Sequence, residues 1–216
     1  MKRVLGLDIG GANLKGATSE GIAKTELFEI WRAPGELATR LRSLIARFPQ
    51  SDLLAVTMTA ELADCFSTKA EGVAAILAAV REAAGTTPIA IWETTGSFTS
   101  FESAARRPHA VAAANWQALA TWAGRFAPKG KSLLVDIGST TTDIIPLRDG
   151  LPVTRGQTDL GRLLNRELVY SGLRRTPLCA VAGSVMVRNR PAQLRAIRRE
   201  NAIKGRAHCF HLLIIA

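Results

Sequence analysis

Residues 7–17, LDIGGANLKGA, carry an apolar run that ends at Asp8, a glycine pair at Gly10 and Gly11, and a second apolar-alternating run from Leu14. The pattern returns at residues 135–147, VDIGSTTTDIIPL, where the run ends at Asp136, Gly138 opens a hydroxyl-rich loop, and Thr142 to Leu147 reads as the returning strand. The two stretches align with Asp8 over Asp136, an internal repeat whose economical explanation is a duplicated α/β lobe. A hairpin loop of this kind can bind phosphate, because glycine lets backbone N–H groups converge on an oxygen and lets that oxygen approach the chain.

In the first loop the phosphate contacts fall to Gly10, Gly11, Asn13 and the cation Lys15; in the second they fall to Gly138, Ser139, Thr140, Thr141 and Thr142. Amide and hydroxyl side chains add donors to those of the backbone. Asp8 and Asp136, each at a strand end, suit Mg²⁺ held through water, since magnesium keeps much of its hydration shell beside phosphates. With Asp143 they make up the candidate catalytic carboxylates. A single loop of this type reads equally as a plain tight turn, and the repetition is what weighs against that. Neither GxGxxG nor GxxxxGK[ST] occurs, which argues against the two commonest other phosphate-binding loops.

Around the first loop, Arg3–Asp8, Leu14–Thr18 and Lys24–Trp31 read as a three-strand meander. Pro34 then opens a helix whose apolar positions are Leu37, Leu41, Leu44 and Ile45. Leu53–Met58 reads as a buried strand, Glu71–Ala84 as a helix closed by Gly85, and Pro88–Trp92 as another strand, an order βββαβαβ. Thr94–Arg107 is expected to be loose, His109–Ala114 a strand edge, and Asn115–Phe126 a helix. The expected divisions are 1–125 for a first lobe, 126–184 for the start of a second, and 185–216 for a basic tail.

The net charge of +10 is uneven along the chain of 216 residues. Arg188, Arg190, Arg195, Arg198, Arg199, Arg206 and Lys204 face Glu200 alone in the tail, so that segment is a charged end, and nucleic acid is not the expected partner. No apolar stretch reaches the roughly 18 residues of a membrane span, and no export signal is read at the start. Cys65, Cys179 and Cys209 lack a metal-like spacing and fit reduced thiols in a cytoplasm.

The loops resemble the phosphate 1 and phosphate 2 motifs of the actin-like (ribonuclease H-like) ATPase superfamily. More narrowly, LGLDIGGANLKGA, TMTAELADCFSTKAEGV, AAANWQALA, LLVDIGSTTTDIIPL and ELVYSGLRRTPLCAV together resemble hydantoinase/oxoprolinase-related proteins of tetrahydromethanopterin-linked one-carbon transfer. That group includes a methanofuran-pathway synthase joining an aminomethylfuran phosphate or diphosphate to a tyramine derivative. The resemblance implies a two-lobed fold with Asp8 and Asp136 facing one cleft. It also implies Mg²⁺ as cofactor, with ATP as a further possible ligand, and a phosphorylated small molecule or nucleotide as partner. Substrate contacts from Glu61, Asp64, Lys69 and Asn115 are implied too, although a helix cap and its first turn would equally explain polar residues at 61–71, and capping would explain Asn115.

Several conspicuous residues take bland readings. Trp116 is expected in the core, Cys65 as a small hydrophobe, and Arg162, Arg166, Arg174 and Arg175 on a solvated helix surface. His208, Cys209 and His211 form an incomplete zinc set. The resemblance ends near Val181, so the second lobe is expected to be incomplete, without its adenosine-binding part. The leading expectation is therefore a condensing enzyme of one-carbon cofactor synthesis. The rivals are an ATP-dependent cyclic-amide hydrolase or small-molecule kinase, and a non-catalytic nucleotide-binding regulator or inactive fragment.

Overall fold

The structure is a computed structural model that describes residues 2–138, 140–173 and 176, together with the strand segments 184–187, 190–193 and 211–215. It divides into two units, Met1–Leu119 and Ala120–Ala216.

The first unit is built on β1 (Val4–Ile9), β2 (Asn13–Thr18), β3 (Ala23–Leu27), β4 (Leu53–Met58), β5 (Ile89–Trp92) and β6 (Phe98–Ser100). They form one sheet in the order β3-β2-β1-β4-β5-β6, with β1, β4 and β5 parallel and the other pairs antiparallel. Leu5, Leu7 and Ile9 alternate onto one face with Leu54, Val56, Met58 and Ile91, all buried. Against that face lie α1 (Leu37–Ile45), through Leu37, Leu41 and Leu44, and α2 (Lys69–Ala84), through Val73, Ile76, Leu77 and Val80. Thr68 caps α2 by accepting from the Glu71 N–H, while the Glu71 carboxylate accepts from the N–H of Ser67, the residue before the cap. The βββαβαβ order expected for residues 3–92 is the order found.

Two readings need correction. Residues 94–107 are not loose but hold β6 and α3 (Phe101–Arg106), with Ser100 capping the helix. Residues 109–114 are no strand edge. Pro108 starts α4 (Pro108–Val111), the position where its fixed φ and missing N–H favour a helix. The alanine run then turns through Ala113 at φ +50° into α5 (Asn115–Ala123).

The second unit pairs β7 (Lys131–Ile137), β8 (Thr142–Arg148), β9 (Leu151–Pro152) and β10 (Leu168–Val169), with α6 (Asp159–Leu164) between the last two. Among the described residues its buried strand positions are Leu134, Ile145, Leu147 and Leu168. Beyond these lie β11 (Ser184–Val187), β12 (Arg190–Gln193) and β13 (His211–Ile215). β11 and β12 pair with each other, and β13 pairs antiparallel with β7, giving the order β10-β8-β7-β13. The open backbone edge of β7 provides the physical reason, since unpaired N–H and C=O groups recruit an apolar strand such as HLLII. In the first unit the strand in the matching place beside β1 is β4, which runs parallel.

Candidate functional site

The loop between β1 and β2 is closed by the Gly10 N–H donating to the Asn13 carbonyl at 3.0 Å. Its own carbonyls are tied behind it: the Ile30 N–H donates to Gly11 and the Phe28 N–H to Ala12, each at 3.1 Å. The N–H groups of Gly11 and Ala12 have no hydrogen-bond partner among the described residues. A loop with its acceptors engaged and two donors open has the polarity an anion needs. Lys15 stands opposite Asp8 in the β1–β2 register, and its Nζ lies 3.0 Å from Asp8 Oδ2, both side chains partly exposed.

Asp8 Oδ1 is buried without a hydrogen-bond partner. One carboxylate with a spare oxygen fits Mg²⁺, which takes one or two carboxylates and completes its shell with water and substrate phosphate. Among the described residues no group of three or more His, Cys, Asp or Glu could hold a metal by itself. Asp8 would hold the ion, and the ion would supply charge neutralisation to a bound phosphoryl group.

The carboxyl ends of β1, β4 and β5 gather further polar groups, where ligands of open α/β sheets bind. The Thr59 N–H donates to the Ile9 carbonyl at 2.9 Å, tying the end of β4 to the loop. Asp8 sits in register with Thr57, and Trp92 follows the Val56–Ile91 pair by one residue, so Asp8, Thr57 and Trp92 form a row on the sheet face opposite the helices. Thr57 Oγ1 and Trp92 Nε1 are, like Asp8 Oδ1, buried without a hydrogen-bond partner. The sequence reading missed both residues. The available signal was a threonine breaking the apolar run LLAVTM at the position beside Asp8.

Glu61, on the turn after β4, is 2% exposed, and its Oε1 accepts from the Ala113 N–H at 2.7 Å. The carboxylate thus braces the left-handed turn that leads to Asn115. Asn115 Oδ1 accepts from the Trp116 N–H at 2.8 Å, and Trp116 is buried, as expected of a core residue. Asp64 is exposed, and Lys69 is partly exposed at the first position of α2. Burial pushes the Cys65 thiol up, and Asp64 and Glu71 push the same way, so it is no activated nucleophile. After β5, Glu93 is buried and accepts from Arg107 Nη2 at 2.6 Å and from the Thr95 hydroxyl at 3.1 Å.

The β7–β8 loop repeats the closing bond of the first: the Gly138 N–H donates to the Thr141 carbonyl at 2.8 Å. The Gly138 carbonyl accepts from the Leu173 N–H at 3.0 Å. The Thr142 hydroxyl donates to the Ser171 carbonyl at 2.6 Å, so its proton is already engaged. Thr140 and Thr141 are partly exposed, and Ser139 lies outside the described residues. Asp136 pairs in register with Asp143. Asp143 Oδ1 accepts from Arg162 Nη1 at 2.7 Å. Burial pushes the Asp143 carboxyl above its ordinary value, and the Arg162 guanidinium pulls it back in part.

Arg162 corrects an expectation. Read as solvated surface, it is 1% exposed, and its Nη2 donates to the Glu167 carbonyl at 2.9 Å. The Glu167 carboxylate accepts in turn from the N–H groups of Arg155 and Gly156. Arg166 is exposed, as expected. Arg174, Arg175, His208 and Cys209 lie outside the described residues, and His211 opens β13.

The chain is a mixed α/β protein with two glycine-aspartate hairpins, and in the first of them two backbone donors stay open among the described residues. The chain belongs to the hydantoinase/oxoprolinase family, whose model matches residues 52–199, and the family implies an actin-like ATPase type of fold. It is 40% identical, over 194 residues and 88% of its length, to a Methanocaldococcus jannaschii protein named (4-{4-[2-(gamma-L-glutamylamino)ethyl]phenoxymethyl}furan-2-yl)methanamine synthase. A Methanococcus vannielii protein of the same name is 51% identical over 57 residues, 26% of this chain and 25% of that protein. The chain spans 57% of the length of the first of these relatives. Among the described residues no helix is long and apolar enough to cross a membrane.

Proposed function

We propose that this chain acts in methanofuran biosynthesis as a condensing enzyme that uses a magnesium-phosphate site. The observation that carries the reading is the β1–β2 loop, whose carbonyls are tied back while the Gly11 and Ala12 N–H groups stay open beside Asp8 and Lys15. The relative's product contains a phenoxymethyl ether on a furan-2-ylmethanamine. Such an ether forms when a phenolic oxygen attacks a furan-bound CH₂ that carries phosphate or diphosphate. The new C–O bond forms as the old one breaks, the phosphate departs with the electron pair, and the phenolic proton goes to a base. The open N–H groups and Lys15 hold the charge gathering on the leaving oxygens, which is the part of the barrier a fixed set of donors lowers most. Bound Mg²⁺ would supply further neutralisation there. Within the second unit, Gly138, Ser139, Thr140 and Thr141 of the β7–β8 loop are candidate phosphate contacts, and Asp136 is a candidate metal ligand.

The reading requires no nucleotide. The test is calorimetry with magnesium pyrophosphate on the protein and on Gly11→Val. A Cβ added at Gly11 would meet nothing within 4 Å, so the fold accepts a side chain there while the branched group fills the space an anion would take. The expected result is an unchanged unfolding midpoint with affinity weaker by about tenfold or more, the equivalent of losing one or two charge-assisted hydrogen bonds. Equal affinity in the folded variant would overturn the site. Binding of magnesium ATP with hydrolysis coupled to opening a cyclic amide, in place of ether formation, would favour the rival hydrolase.

A further inference from the structure

We propose that the row Asp8–Thr57–Trp92 is the subsite for the hydroxyl of a phenolic co-substrate, with Thr57 and Trp92 as its specificity-determining residues. This rests on the condensing reaction proposed above and assigns its second substrate a place. The row lies on one face of the β1-β4-β5 sheet, at the end that carries the phosphate loop. Each residue is partly exposed, yet each presents a buried polar atom that makes no hydrogen bond: an acceptor in Asp8 Oδ1, a donor-acceptor in Thr57 Oγ1, and a donor in Trp92 Nε1. Three such atoms on adjacent strands are costly to keep in an otherwise satisfied sheet, and a bound partner would remove the cost.

The chemistry of that partner follows from the order of the atoms. An ammonium only donates and would leave the Trp92 N–H unmet. A fully ionised phosphate only accepts, so it could give no hydrogen to Thr57 Oγ1. A hydroxyl both donates and accepts, so it can give its hydrogen to Thr57 Oγ1 and receive one from Trp92 Nε1, leaving Asp8 Oδ1 at the end of the row to the metal ion. Adjacent strands stand about 4.8 Å apart, so a hydroxyl over this row lies one strand or two from the aspartate at which the loop begins. That is the neighbourhood in which a nucleophilic oxygen must meet a phosphate-bearing carbon. Trp92 also meets Phe98 edge to face, with ring centroids 4.7 Å apart, and this places an aromatic wall beside its N–H where an aryl ring can pack.

The test measures binding of γ-glutamyltyramine and of the same molecule without its phenolic hydroxyl, by calorimetry and by the Trp92 indole N–H resonance, which is assigned by its absence in Trp92→Phe. The unaltered protein should bind the phenol about tenfold or more tightly than the deoxy compound, because a site built for a hydroxyl leaves polar groups unmet when the hydroxyl is missing. The phenol should move the indole resonance and pyrophosphate should not. Thr57→Val and Trp92→Phe should bind the two compounds equally while keeping pyrophosphate affinity, and their unfolding midpoints should stay level or rise, since each removes an unmet buried group. Gly11→Val should keep the preference for the phenol while losing pyrophosphate. Equal binding of both compounds by the unaltered protein, an unmoved indole resonance, or preserved discrimination in the two variants would each overturn the subsite. If pyrophosphate binding persists, the phosphate site stands without it; if pyrophosphate fails to bind, it is the underlying reading that falls.

Discussion

Arg162 shows how much one side chain can organise in the second unit. It reaches Asp143 on β8 and the Glu167 carbonyl before β10, and the Glu167 carboxylate then fixes the backbone of Arg155 and Gly156. Removing the guanidinium leaves a largely buried carboxylate uncompensated, so Arg162→Met should cost about 3 kcal/mol of unfolding free energy, while Arg162→Met combined with Asp143→Leu should recover much of the loss. The sign with pH follows from Asp143, whose folded value is raised by burial and rises further without the cation. A carboxyl raised in the folded state contributes stability below its unfolded value, near 3.8, and loses it as pH climbs through the raised folded value. The deficit of the single variant should therefore be larger at neutral than at acid pH in urea unfolding; a deficit independent of pH would show that Asp143 is not the group exposed. Sequence could place Asp143 after the second loop but could not bury Arg162, because a helix arginine in a charged stretch looks solvated until the fold puts a carboxylate beside it.

At the scale of elements, the local code was clearest where one signal dominated. The helical spacing of α1 and the apolar runs of β1, β4 and β5 were legible, and they fix the end of the sheet that carries the first loop. The alanine-rich stretch before Asn115 was misread, since alanine gives no periodic contrast, and Pro108 proved the decisive residue. Close approach between elements was illegible as well. Gly72 on α2 packs against the turn holding Glu61, where an added Cβ would lie 2.7 Å from the Glu61 Cα. Elsewhere in a helix Gly→Ala gains up to about 1 kcal/mol. Here Gly72→Ala should instead lose about 1–3 kcal/mol through overpacking, and it should loosen the brace on Ala113. A thermal melt showing stabilisation would mean that α2 does not rest on the turn as described.

For the whole molecule, the first loop and its strands were read from sequence with their residues in place. In the second loop the Thr142 hydroxyl is already engaged by Ser171, a long-range contact no local pattern announces. Thr57 and Trp92 join the candidate site only through strand register, which sequence spacing alone did not supply. Ether formation at the phosphate loop of the first unit is the reaction proposed for this chain. Its most direct test is to incubate the protein, Mg²⁺ and γ-glutamyltyramine with furan-2-ylmethanamine carrying a diphosphate-bearing CH₂ at its 4-position, without nucleotide, and to quantify ether by mass spectrometry alongside released diphosphate. Ether and diphosphate are expected in equal amounts, with both lost in Gly11→Val; a folded protein that leaves both substrates untouched, or that releases diphosphate without ether, would rule the proposed reaction out.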